Sequence, residues 1–316
     1  MKLDASIIIQ IILLLAGFLF LIKGSDFFVD GASSIASILK IPTIIIGLTI
    51  VAFGTSAPEA AVSITSSLTG SNALAVSNVI GSNLFNILMV IGIAALLSEL
   101  LMEKSVLEKD LPFLVGITIL FAIFIFIGWD ITNIEGIILL IIMVAYIVYL
   151  VINAKKSKEG NEVEKPKFSL PKSILLIIVG LAGIIIGGDL VVDSASAIAI
   201  AFGMSETLVG LTIVAIGTSL PELVTSLTAL KKGENQLVIG NVIGSNIFNI
   251  LFVLGASSAI SAIPLDSSML IDVVFMIVVT IICFIFGKTQ DKYDKKEGII
   301  LVALFIGYMI FAIMRN

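Results

Sequence analysis

The sequence predicts an all-α integral membrane protein whose ten transmembrane helices form two inverted repeats of five. Three observations support this fold class: an apolar composition, ten apolar runs of spanning length, and an internal repeat at an offset of 163 residues. Of the 316 residues, 59% are hydrophobic and 13% are charged, whereas about a quarter of an average soluble domain is charged. This composition excludes an ordinary soluble enzyme. With 18 Lys and Arg against 23 Asp and Glu, it also leaves no basic surface for nucleic acid.

The ten apolar runs predict helices rather than barrel strands. A bilayer core of about 30 Å needs about 20 apolar residues in a helix. The runs also lack the alternation of a barrel strand, and lipid offers no partner for unpaired backbone groups. The predicted spans are residues 6–28, 41–67, 73–98, 111–128, 135–153, 173–191, 204–230, 236–262, 269–287 and 297–314.

The basic residues predict the orientation of these spans. Counted along the ten spans, 16 of the 18 basic residues fall on one side, and only Lys2 and Arg315 fall on the other. Lysine and arginine concentrate in cytoplasmic loops. We therefore expect both termini to be extracellular and the 154–171 loop to be cytoplasmic. The residues on the lysine-rich side are Lys23, Lys40, Lys104, Lys109, Lys155, Lys156, Lys158, Lys165, Lys167, Lys172, Lys231, Lys232, Lys288, Lys292, Lys295 and Lys296.

The internal repeat divides the chain into residues 1–153, a linker at 154–171 and residues 172–316. GLTIVAFGTSAPE at 47–59 matches GLTIVAIGTSLPE at 210–222 in 11 of 13 positions, and NVIGSNLFNIL at 78–88 recurs as NVIGSNIFNIL at 241–251. Each unit has five spans, and because five is odd the second unit must enter the membrane from the opposite side. Inverted repeats with Gly/Pro-interrupted segments in matching positions are typical of secondary transporters.

Each GTS-x-P-E segment places one acid in the middle of an apolar span. Glu59 and Glu222 have no lysine or arginine within their segments, and a buried charge costs at least a few kcal/mol in a membrane. Proline lacks an N–H, so Pro58 and Pro221 predict freed carbonyls around residues 52–55 and 215–218. The chain has no histidine, so proton or cation chemistry must use carboxylates.

Hydroxyl and amide side chains accompany these acids at helical spacing. Carboxylate, hydroxyl and carbonyl oxygens are the ligands that Ca²⁺ and Na⁺ prefer. We expect Asn78 and Asn241 to form interhelical hydrogen bonds, whereas the deeper polar groups are equally consistent with cation ligands and with helix packing. The candidates from this pattern are Thr55, Glu59, Thr218, Glu222, Ser82, Asn86, Ser245 and Asn249.

Four further aspartates, Asp26, Asp30, Asp189 and Asp193, keep the same repeat offset. They are consistent with cation-attracting entrances, but charges at helix ends in the headgroup zone are the simpler interpretation.

The doubled motifs, GTSAPE with GTSLPE and two GSN-x-x-N segments, resemble the alpha repeats of the sodium/calcium exchangers in the cation/calcium antiporter superfamily. The resemblance covers essentially the whole chain. It implies a prokaryotic-type antiporter of the cell membrane that exchanges one Ca²⁺ for three Na⁺, uses no cofactor and works as a monomer. The cation ligands that it implies are Ala52 and Ala215 through their carbonyls, with Thr55, Ser56, Glu59, Ser82, Asn86, Thr218, Ser219, Glu222, Ser245 and Asn249.

Some relatives have an aspartate at the position of Asn249, and the potassium-dependent branch resembles that pattern. The asparagine therefore argues against potassium dependence. Two other functions stay open at this point. A proton/calcium antiporter would also use titratable glutamates, although its repeats resemble a different motif, and a cation channel would need a continuous pore.

Overall fold

The computed structural model describes residues 5–156, 165–204, 213, 215–264 and 269–315. Almost all regular structure in this part of the chain is helical. The helices are α1 (Ala5–Leu39), α2 (Thr43–Thr55), α3 (Ala57–Leu68), α4 (Asn72–Leu97), α5 (Val106–Gly128), α6 (Asn133–Lys156), α7 (Leu170–Ala201), α8 (Ala215–Gly217), α9 (Leu220–Lys231), α10 (Asn235–Ile260), α11 (Met269–Gln290) and α12 (Lys295–Arg315).

The prediction of an all-helical membrane protein is confirmed. Within the described residues, eight helices are long and apolar enough to cross a membrane, and the pair α2 and α3, bent by 49°, makes up to nine. The predicted span at 204–230 includes residues 205–212 and 214, which lie outside the described part of the chain. The total of ten therefore stays a prediction.

Three predicted spans differ from the structure. The runs at 6–28 and 173–191 are too short, because α1 continues to Leu39 and α7 to Ala201. Their glycine-, serine- and aspartate-rich ends look like loops in the sequence. In the extension of α1 a small residue lets the helix approach α7, since a Cβ on Gly31 would lie 2.7 Å from the Ser173 carbonyl oxygen. The run at 41–67 is not one straight helix, because it breaks at Ser56.

The polar helices lie at the centre and the apolar helices at the periphery. In its most apolar stretch, α10 is 94% buried and α4 is 78% buried, whereas α1 is 17% buried. The outer helices expose large apolar side chains such as Leu15, Ile127 and Ile141. Such side chains suit a hydrocarbon environment, while the asparagines and serines of α4 and α10 have protein partners.

Two short β-ribbons mark opposite ends of the helix bundle. β1 (Leu100–Leu101) pairs with β4 (Lys292–Tyr293), and β2 (Asp130–Ile131) pairs with β3 (Ile263–Pro264), both antiparallel. We call these the β1–β4 end and the β2–β3 end.

Other loops contact these ribbons at each end. At the β1–β4 end, Gln236 donates from Nε2 to the Leu101 carbonyl at 3.1 Å, and Lys292 pairs with Glu99 at 2.9 Å. At the β2–β3 end, Asn72 donates from Nδ2 to the Ala262 carbonyl at 2.9 Å.

Candidate cation site

Two helix breaks position the repeated motifs at the centre of the bundle. Ser56 (φ −84°, ψ 9°) separates α2 from α3, and Ser219 (φ −95°, ψ 4°) separates α8 from α9. Pro58 and Pro221 lie in the first turns of α3 and α9, where the missing N–H removes no helical hydrogen bond. The prolines therefore begin the second helix of each pair.

The two glutamates occupy the first turns of these same helices. Glu59 and Glu222 are fully buried. The N-terminus of a helix favours negative charge, which partly compensates for their burial. No ion pair with either glutamate occurs among the described residues. Their charges therefore lack a protein counter-ion there.

The hydroxyl of each half binds the glutamate of the other half. Ser56 donates from Oγ to Glu222 Oε1 at 2.8 Å, and Ser219 donates from Oγ to Glu59 Oε1 at 3.0 Å. We call these two bonds the crossed pairs. Hydrogen bonds to ionised groups are stronger than neutral ones. Both halves of the chain therefore build one polar cluster rather than two separate ones.

The serines of α4 and α10 join this cluster from each side. Ser82 donates from Oγ to Glu59 Oε1 at 3.4 Å. Ser245 Oγ lies 3.5 Å from Thr55 Oγ1 and donates to the Ala52 carbonyl, also at 3.5 Å. α10 approaches this closely because a Cβ on Gly244 would lie 2.7 Å from Ala52 Cβ.

The expected release of backbone carbonyls does not occur at Ala52. Its oxygen accepts the backbone N–H of Ser56 at 3.1 Å, so the helical bond across the break is kept. Pro58 begins a new helix instead of disrupting the preceding turn, which is why the expectation of a freed carbonyl was wrong there. A carbonyl oxygen has a second lone pair, so the role of Ala52 as a ligand stays a prediction. Ala215 begins α8, and its role as a ligand stays a prediction because residues 205–212 and 214 lie outside the described part.

The asparagines three residues before each GSN-x-x-N segment join neighbouring helices, as expected. Asn78 on α4 donates to Ser63 Oγ on α3 at 2.9 Å, and Asn241 on α10 donates to Ser226 Oγ on α9 at 3.0 Å. Their amide oxygens accept bonds from the motif threonines of the opposite half. Thr55 donates to Asn241 at 3.0 Å and Thr218 donates to Asn78 at 3.5 Å.

Within the described part of the chain, four buried oxygens at the centre accept no hydrogen bond. They are Glu59 Oε2, Glu222 Oε2, Asn86 Oδ1 and Asn249 Oδ1. Buried polar atoms in native proteins nearly always have a partner, so an orphaned set calls for a ligand. The described residues contain no group of three or more His, Cys, Asp and Glu side chains suited to a metal. The candidate site therefore consists of two carboxylates and neutral oxygens, the donor set of a hard cation.

Two further asparagines contact this set and are absent from the sequence-based candidates. Asn83 Oδ1 accepts from Asn249 Nδ2 at 3.2 Å, and Asn246 Oδ1 accepts from Asn86 Nδ2 at 3.1 Å. Both are buried. Each is the third residue of a GSN tripeptide, so the repeated motif was the signal that could have identified them.

The aspartates of α1 and α7 lie far along their helices and differ in their surroundings. Lys232 lies 3.1 Å from Asp30 and 3.5 Å from Asp26, whereas Asp189 and Asp193 on α7 are exposed and form no ion pair within the described ranges.

The packing of α1 and α7 differs in the same way. α1 packs along α9, where Ser25 Oγ lies 3.1 Å from Thr225 Oγ1. The equivalent helices α7 and α3 do not pack comparably in the described structure.

Comparisons with known proteins agree on one family. A family model described as "Sodium/calcium exchanger protein" matches residues 9–152 and 172–314. The putative antiporter CaxA of Alkalimonas amylolytica is 40% identical over 312 residues, covering 95% of this chain and 98% of that protein. The sodium/calcium exchanger MaX1 of Methanosarcina acetivorans is 31% identical, covering 96% and 98%. A solved structure of the sodium-calcium exchanger NCX_Mj, soaked with Na⁺ and Sr²⁺, superposes with a TM-score of 0.85 at 33% identity, covering 95% of this chain and 97% of that one.

Proposed function

The chain belongs to the sodium/calcium exchanger protein family, and from that premise we propose that it is a secondary active antiporter exchanging Ca²⁺ for Na⁺. The exchange takes place at one central site that both halves of the chain share. The site residues are the candidates named from the sequence: Ala52, Thr55, Ser56, Glu59, Ser82, Asn86, Ala215, Thr218, Ser219, Glu222, Ser245 and Asn249.

The crossed pairs with their orphaned oxygens are the observation that best supports this proposal. Each glutamate uses Oε1 to accept a serine hydroxyl from the other half, and each keeps Oε2 without a partner among the residues that the structure describes. Leaving two buried carboxylates uncompensated would cost several kcal/mol per ion. A bound cation removes that cost, and competition between Ca²⁺ and Na⁺ for the same oxygens couples their movements.

The charge of the site supports an electrogenic cycle. Two carboxylates balance one Ca²⁺, whereas three Na⁺ would leave one net positive charge. An exchange of three Na⁺ for one Ca²⁺ moves one charge per cycle, which is worth about 2.3 kcal/mol per 100 mV.

The difference between the two ends supports alternating access. At the β1–β4 end, α1 is held against the second half by Lys232 and by the contact of Ser25 with Thr225. The matching helix α7 has no comparable packing against α3 in the described residues. A carrier that opens one entrance at a time needs such inequality between otherwise equivalent ends.

We also infer the topology that the sequence predicts. Ten helices form two inverted five-helix repeats, residues 1–153 and 172–316, joined by the 154–171 linker. The strand pairing supports this arrangement, because β1 at 100–101 and β3 at 263–264 differ by the repeat offset of 163 and pair with β4 and β2 respectively. The lysine distribution places both termini outside and the linker in the cytoplasm. Both carboxylates come from one chain, so a monomer in the cell membrane is sufficient for function.

Calcium uptake into proteoliposomes tests the proposal. Vesicles loaded with Na⁺ should accumulate external radioactive Ca²⁺, and vesicles loaded with K⁺ should not. Uptake driven by a pH gradient alone would show a proton/calcium antiporter instead. Flux that is independent of any counter-ion would show a channel.

Glu59→Gln, which should abolish the uptake, is compared with a matched control variant. Glu108→Gln changes an exposed glutamate at the start of α5 and should leave uptake unchanged. A potassium diffusion potential applied across Na⁺-loaded vesicles should change the rate if the exchange is electrogenic. A rate unaffected by the potential would contradict the stoichiometry of three to one.

A further inference from the structure

Asn83 and Asn246, the last residues of the two GSN tripeptides, contact the site asparagines of the opposite half. Asn86 donates from Nδ2 to Asn246 Oδ1 at 3.1 Å, and Asn249 donates from Nδ2 to Asn83 Oδ1 at 3.2 Å. All four side chains are buried. The same bond therefore occurs twice, once in each direction between α4 and α10.

These bonds determine where the amide oxygens point. In a primary amide the oxygen and the NH₂ group share one carbon, so fixing the nitrogen fixes the oxygen. In both site asparagines the nitrogen is the bonded atom, and Oδ1 has no partner in the described ranges. A rotated amide would bring two oxygens together at the neighbouring asparagine and would present N–H donors to a cation, which is unfavourable at both positions.

We propose that Asn83 and Asn246 are positioning residues that hold Asn249 and Asn86 with their carbonyl oxygens towards the cation. This inference rests on the proposed function, because it assumes that a cation binds at the orphaned oxygens. Groups that orient metal ligands typically contribute 10- to 100-fold to metal affinity.

The two positioning residues are themselves held by unequal partners. Asn246 donates from Nδ2 to the Asn83 backbone carbonyl at 3.4 Å. Asn83 donates from Nδ2 to the thioether of Met276 at 3.9 Å, and sulfur is a weak acceptor. In both cases the nitrogen is engaged, which leaves Oδ1 to accept the amide of the site asparagine.

Substitutions that remove or keep the acceptor test the proposal. Asn83→Leu and Asn246→Leu remove it, and each should raise the KM for Ca²⁺ in Na⁺-driven uptake about tenfold or more. Asn83→Asp and Asn246→Asp keep an oxygen that accepts the same N–H, so their KM should stay at or below the wild-type value. Asn72→Leu is the matched control, since Asn72 forms its bonds at the β2–β3 end and should not change KM.

The readouts separate positioning from folding and from the proposed function. Thermal unfolding without ions verifies that each variant is folded. If a leucine variant does not fold, the serine variant replaces it, because its shorter side chain cannot reach the opposite amide. An unchanged KM in folded leucine variants, or aspartate variants as impaired as the leucine ones, would overturn the inference. Absence of Na⁺-driven uptake in the wild-type chain would instead overturn the proposed function.

Discussion

The two halves of the chain treat their outer aspartates differently. In the first half, Asp26 and Asp30 of α1 lie 3.5 and 3.1 Å from Lys232. One repeat earlier, the position of Lys232 holds Thr69, and the equivalent aspartates of α7 are exposed. At the β1–β4 end, ion pairs therefore link α1 to the second half of the chain. No corresponding ion pair occurs in the described part of the β2–β3 end.

The centre of the molecule shows the opposite behaviour. Ser56 bonds Glu222 at 2.8 Å and Ser219 bonds Glu59 at 3.0 Å, so the two halves make the same contact in both directions. The comparison indicates that the two repeats remain alike at the centre and differ at the two ends. Under the proposed function a single cation uses both halves, which requires matching ligand chemistry, whereas alternating access requires ends that differ.

Neutralising either glutamate should have the largest effect. Glu59→Gln and Glu222→Gln each remove one of the two charges that balance Ca²⁺, at a cost of about 3 kcal/mol or more, or ~100-fold in affinity. We expect each variant to abolish Na⁺-driven Ca²⁺ uptake. If one of the two variants kept Na⁺-driven Ca²⁺ uptake, the two glutamates would not be equivalent at the centre.

Removing the crossed hydroxyls should have an intermediate and equal effect. A hydrogen bond to a charged group contributes about 1.5 to 3 kcal/mol, so Ser56→Ala and Ser219→Ala should each weaken Ca²⁺ affinity roughly 10- to 100-fold. Ser77→Ala, at an exposed position of α4, is the control. Calcium titrations of uptake rate measure all three, and a wild-type KM in either crossed-pair variant would contradict the shared site.

Removing the ion pairs of Lys232 at the β1–β4 end should have the smallest effect. Exposed ion pairs contribute about 1 kcal/mol or less. Lys232→Gln should therefore raise the fraction of molecules that are open at the β1–β4 end about fivefold or less. The native Cys283 is buried, so a cysteine replacing buried Ser34 can report access through its rate of reaction with a membrane-impermeant thiol reagent. Lys231→Gln is the control because it changes the adjacent exposed lysine.

The mirror substitution sharpens the same comparison. Thr69→Lys introduces a lysine at the equivalent position of the other end and should slow transport by favouring closure there. Equal labelling rates in Lys232→Gln and the wild-type background, together with unaltered transport in Thr69→Lys, would show that the ends differ for another reason.

Much of the fold follows from composition and repetition. Apolar length predicts the membrane helices, and the family resemblance carried by GTS-x-P-E and GSN-x-x-N is confirmed by the comparisons. Helix ends are less predictable because tertiary packing decides them. The segments after Phe28 and Val191 look like loops in the sequence but continue as helix to Leu39 and Ala201.

The site shows a similar division. The two glutamates and the polar side chains at helical spacing around them were predicted from their chemistry, because an acid in an apolar span needs a partner. Ser56 and Ser219, which form the crossed pairs, were implied only by the family resemblance. Asn83 and Asn246 were missed because a regular helical stripe at every fourth residue excludes them. In the structure both asparagines lie in α-helix just before the π-helical turns that begin at Asn86 and Asn249, and their partners come from the opposite half, which periodicity within one helix does not predict.

Calorimetric titration of Ca²⁺ into purified, Na⁺-free protein tests the shared site most directly. We expect the wild-type chain to bind one Ca²⁺, with Na⁺ competing for it, and we expect Glu59→Gln and Glu222→Gln each to lose that binding entirely. If each variant instead kept half of a two-site isotherm, or kept one Ca²⁺ at wild-type affinity, the two halves would bind independently and the account would be contradicted.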